Sequence, residues 1–215
     1  MIFKGHNPVR RQGSKTFLTS ARTDLMDLTQ KKEIILQHER MLSETIGSAV
    51  LEKPKVSTWM IFIPILFLFF IYRMKKFKKD RVKFVEDLMT VRRAAMDKAF
   101  DGAEQGGPSL EGVPQIPDLP EPLRKPYASW IQTLSNHYLD LLTAEGDDFG
   151  SLVCAAYRNR KNYRVVIDRL SMAEKGFYTA LKPYLDSVEG AFDIAAKIES
   201  ESRRLRSETG RTIFC

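Results

Sequence analysis

The sequence predicts an all-α protein: a single membrane segment with flanking amphipathic helices and a C-terminal three-helix bundle. Two observations carry this prediction. Residues 56–72 form an uncharged run in which eleven of seventeen positions are Val, Ile, Leu or Phe. On either side, apolar residues recur at the three- and four-residue spacing of amphipathic helices.

Residues 1–23 show no sustained period and read as a mobile basic tail. Gly13-Ser14-Lys15-Thr16 does not make a phosphate-binding loop, because that loop requires Gly immediately before Lys. No apolar stretch follows Arg10-Arg11 closely, and the first twenty residues lack the apolar region of a cleavable signal. Residues 24–55 carry the first helix, over 24–51, capped by Thr23 or Asp24. Leu28, Ile35, Leu42 and Ala49 recur every seven residues, the spacing of a coiled-coil seam. Gln30, Lys31, Lys32, Glu33, Glu39, Arg40 and Glu44 make its expected solvated face. So narrow a stripe calls for a partner: another subunit, a second copy, or a membrane surface.

The segment 56–72 is read as transmembrane or re-entrant. At ~1.5 Å per residue it reaches about 25 Å, slightly short of a hydrocarbon core of about 30 Å. Trp59 and Tyr72 sit near its ends, where interfacial aromatics belong. Arg73, Lys75, Lys76, Lys78, Lys79, Arg81 and Lys83 follow it and are the expected contacts with anionic lipid. This positive excess places the C-terminal domain in the cytoplasm and, for a single pass, residues 1–55 on the opposite side. That tail is itself basic, with ten Lys/Arg against six Asp/Glu, which makes its translocation costly. Pro64 bisects the segment. A same-side hairpin breaking at Ile63-Pro64 is the alternative.

Residues 73–100 read as a basic juxtamembrane helix with Phe77, Phe84 and Val91 every seven residues. Residues 101–126 hold six of the ten prolines and four of the twelve glycines, and read as a linker. The cytoplasmic bundle is expected over 127–206, with a C-terminal tail at 207–215. Its first helix, 127–143, buries Tyr127, Trp130, Ile131, Leu134, Tyr138, Leu141 and Leu142, leaves His137 off the stripe, and uses Pro126 in its first turn. Its second, 147–174, is bent and opens on Asp147-Asp148. Its third, 177–206, follows Gly176 and takes Pro183 in its first turn.

The formal charge of +7 is concentrated beside the apolar segment, since residues 127–215 balance twelve Lys/Arg with twelve Asp/Glu. It therefore points to a lipid bilayer rather than to nucleic acid. Within the bundle, Arg158, Arg160, Lys161 and Arg164, interleaved with Tyr157 and Tyr163, form a candidate anion-binding cluster. No catalytic, cofactor or metal motif is present, and the two cysteines, Cys154 and Cys215, make no disulfide framework. The function expected is a membrane-anchored interaction protein, a scaffold or adaptor subunit. It would meet a protein partner, or itself, through helices 24–51 and 177–206. The alternatives are a tethered ligand- or nucleic-acid-binding domain using 157–164, and a membrane-bound enzyme without a local motif.

Overall fold

The computed structural model describes residues 16–51, 64–107, 119–185 and 191–214, with side chains described for 28–51, 79–107, 119–184 and 193–214. Among the described residues there are six helices and no strand: α1 (Thr16–Val50), α2 (Pro64–Glu104), α3 (Glu121–Leu142), α4 (Phe149–Tyr157), α5 (Arg160–Leu185) and α6 (Ala191–Ile213). The all-α expectation holds.

α1 and α2 form an antiparallel pair. Lys32 meets Asp97 at 2.7 Å, Glu39 meets Arg92 at 2.8 Å, and the Arg81 guanidinium donates to Ser48 Oγ at 3.4 Å. Gly47 lets α2 approach, since a Cβ there would lie 3.3 Å from Val85 Cγ2. Of the heptad row of α1, Ile35 and Leu42 are buried and Leu28 and Ala49 are half-buried, and the face that carries it packs within the same chain, on α2 and on the C-terminal helices. On α2 the buried row is Val85, Met89, Arg92, Met96 and Ala99, one position off the expected Phe84–Val91 row. Arg92 sits in mid-row, and a charge there hides the row from an apolar search.

The pair does not stand apart from the C-terminal helices. One hydrophobic core joins Ile35 of α1, Ala95 and Met96 of α2, Leu134 and Tyr138 of α3, Leu152 of α4 and Leu170 of α5. A smaller cluster of Ile46, Val50 and Ile198, with Phe84, Leu88, Tyr178 and Leu205 against it, brings the end of α1 to the start of α6. This defines a proximal pole, where α1 ends and α6 begins. At the distal pole His38 stacks on Phe149 at 3.6 Å and Tyr163 meets Phe214 at 6.0 Å.

Local boundaries differ from expectation for identifiable reasons. α3 starts at Glu121 behind the N-cap Pro120, so Pro126 lies inside the helix rather than in its first turn. The bent helix is two helices. α4 ends at Tyr157, and its C-cap Arg158, held at φ +66°, turns the chain before α5 begins at Arg160. Asp148 caps α4 by accepting from the Ser151 N–H at 2.8 Å, in line with the acidic start expected there. Gly176 does not break the chain; α5 runs through it and through Pro183. A mid-helix glycine costs about 1 kcal/mol, and burial of Leu170 and Phe177 on either side outweighs that.

The apolar segment straddles the edge of what is described. Residues 56–63, with Trp59, fall outside the described residues, and 64–72 form the first turns of α2. Pro64 is the first residue of α2. Among the described residues, no helix is long and apolar enough to cross a membrane. This weighs against the single-pass topology. α1, before the segment, and α2, after it, are packed side by side in one core.

Candidate functional site

Four charged side chains meet in the interior, one from each of four helices. Glu39 (α1) accepts from Arg92 Nε (α2) at 2.8 Å; Arg206 (α6) lies 3.8 Å from Glu39 and 3.3 Å from Glu174 (α5). None exposes more than 5% of its side chain. Two cations against two anions leave the layer neutral, the condition for burying charge at all. Burial alone would raise the Glu39 carboxyl, but the guanidinium groups of Arg206 and Arg92 hold it down at about 2. Among the described residues Glu174 has Arg206 alone within ion-pair distance, so burial prevails and its pKa is raised. Glu39 was expected on a solvated face. Its partners come from helices distant in sequence, so no local pattern marks it.

Beside this layer His137 is buried, and its Nδ1 lies 2.6 Å from the Tyr157 hydroxyl. The expectation that it sits off the buried stripe was wrong. Burial lowers its pKa to about 4, so the ring is neutral. Among the described residues no group of three His, Cys, Asp or Glu could hold a metal ion.

The second feature is a cleft at the surface between α5 and α6. Arg160, Tyr163, Arg164, Ile167 and Asp168 line one wall, and Arg203, Ser207, Gly210 and Arg211 the other, enclosing about 150 Å³. Residues at i, i+3, i+4, i+7 and i+8 share a helix face, which is why α5 supplies Arg160, Arg164 and Asp168 together. Arg158 ends α4 and Asn159 caps α5, its Oδ1 accepting from Asn162 N–H at 2.9 Å, so Arg160 opens the face. Tyr163 is buried, and its hydroxyl donates to the Arg206 carbonyl at 3.3 Å. Gly210 makes this possible, because a Cβ there would fall 2.6 Å from the tyrosine ring. Gly210→Ala should therefore destabilise the fold by about 1–2 kcal/mol despite its better helix propensity, measured as a lower urea midpoint.

The expected anion cluster is thus split. Arg160 and Arg164 enter the cleft and are joined by Arg203 and Arg211, which sequence spacing had not connected to them. Arg158 and Lys161 are exposed and do not line it. Tyr157 and Tyr163 are buried in the core, so the aromatic half of a base-stacking surface is not available. Of the expected lipid contacts, the side chains of Tyr72, Arg73, Lys75, Lys76 and Lys78 lie outside the described ones. Lys79 and Lys83 are exposed, and Arg81 leans on Ser48. Comparison with family models, with curated proteins and with solved structures gives no match.

Proposed function

We propose that the chain is a helical interaction protein held on a membrane by a same-side apolar tip, residues 56–72, at its proximal pole. The observation that supports this most is the antiparallel α1–α2 pair, which brings both flanks of that apolar stretch to one end of one body. Lys79 and Lys83 are exposed on α2 beside it. Three of the exposed large apolar side chains, Val82, Tyr184 and Ile194, belong to the same pole. A polar body with an apolar tip and a cationic rim is arranged to sit on an anionic bilayer.

The seams first expected to recruit a partner, on 24–51 and 177–206, are largely used within the chain. A protein partner would meet outer faces, where Met41, Val165 and Met172 remain exposed. The four charged groups of the interior layer are engaged with one another, which favours an interaction role over a catalytic one.

Flotation of the full chain with vesicles of phosphatidylcholine and phosphatidylserine tests the reading. Phe67→Glu with Phe69→Glu should reduce vesicle binding at least tenfold, and protease added outside sealed vesicles should reach both residues 1–55 and residues 73–100. Binding that ignores these substitutions, or protection of residues 1–55 alone, would reject it.

A further inference from the structure

We propose that the α5–α6 cleft is a binding site for a soluble ligand carrying two or more phosphate groups. It stands apart from the basic rim at the proximal pole. The argument rests on how the arginines are engaged. On the same helix, Arg204 shows what a satisfied surface arginine looks like: it reaches Glu201 and Glu208, each at 2.7 Å. Arg164 and Arg203 differ. They share one carboxylate, Asp168, at 3.6 and 3.9 Å, and neither contact is a hydrogen bond. Charge-assisted hydrogen bonds run about 2.7–2.9 Å, so these two forks keep their N–H donors. Arg160 has no ion-pair partner among the described residues, and Arg211 adds to the opposite wall. Asp168 opposes an anion by its charge, yet it also draws Arg164 and Arg203 toward a common centre.

Guanidinium groups match phosphate oxygens two at a time, and several convergent ones favour a multiply charged anion over a carboxylate. The size agrees. About 150 Å³ of cleft gives room for a short phosphorylated group. The floor is stiff, because Tyr163 is buried against Gly210 and tied to α6.

Phosphate could come from a lipid headgroup or from solution, and position favours solution. Ile198 marks the proximal layer of α6, and the cleft wall on α6, Arg203 to Arg211, lies five to thirteen residues further along it, roughly 8 to 20 Å away. The cleft therefore lies beyond the proximal layer, toward the end of α6.

The test uses the full-length chain in non-ionic detergent, titrated with tripolyphosphate by calorimetry at several salt concentrations. Wild type should bind with an affinity that falls as salt rises. Arg160→Gln with Arg164→Gln and Arg203→Gln should weaken binding tenfold or more, while Lys79→Gln with Lys83→Gln should leave it unchanged. Vesicles containing phosphatidylserine should show the reverse pattern. The three arginine side chains contribute nothing to the core, and an unchanged thermal midpoint confirms folding in both variants. No binding by wild type, binding unaffected by the arginine substitutions, or an equal loss in both variants overturns the proposal. Vesicle binding lost only on substitution of the cleft arginines would assign the cleft to a lipid headgroup and also overturn it.

Discussion

Replacing Arg206 with alanine is expected to cost about 3–5 kcal/mol of stability, the range for breaking a buried ion pair by removing one partner. Among the described residues, Arg206 is the only group that touches both acids of the interior layer, Glu39 and Glu174. Without it Glu39 retains Arg92, but Glu174 becomes a buried carboxyl with no cation at contact distance among the described residues. Its pKa is already raised by burial, so it will take up a proton and limit the loss. Total stabilities of ~5–15 kcal/mol make this a large fraction of the whole. Urea unfolding should show a lower midpoint with an unchanged slope. Arg206→Met combined with Glu174→Gln should recover a substantial part, since it removes the stranded charge and keeps the volume. A loss below about 1 kcal/mol in the alanine variant would mean that the layer does not hold the helices together.

Lowering the pH from 6.5 to 4 is expected to cost about 3 kcal/mol through His137 alone, from a displacement of its pKa from 6.5 to about 4. The folded value lies below the unfolded one, so the unfolded chain binds the proton more tightly. Stability is complete above pH 6.5 and is lost as the pH falls toward 4. The groups that act on the ring are Glu39, Arg206 and His38, with Tyr157 hydrogen-bonded to it. His38 is lowered too, by burial first, and adds to the same trend. Below pH 4.5 Glu39 adds a further loss, because its folded value is about 2. Glu174 and Asp140 are shifted upward and take back part of it. His137→Asn should lower stability at pH 7 yet flatten its dependence between pH 6.5 and 4.5. An unchanged slope in that variant would assign the acid sensitivity elsewhere.

The sequence by itself determined the helical class, the apolar faces of α3 and α4, and the acidic start of α4, because these depend on neighbours three or four residues away. Leu134, Leu141 and Leu152 are buried where their spacing puts them. It also marked the apolar run 56–72 and the basic residues after it, since charge and hydropathy are local properties. Only the tertiary structure decided that α1 folds back on α2, which brings the two flanks of that run together. The same folding turns Glu39 from an apparent surface residue into the centre of a buried layer. It likewise turns a row of arginines on α5 into half of a cleft completed by α6. Each of these pairings joins residues at least thirty positions apart. A buried charge or a two-walled cleft comes into being only when distant helices meet, whereas an apolar stripe is written along a single helix.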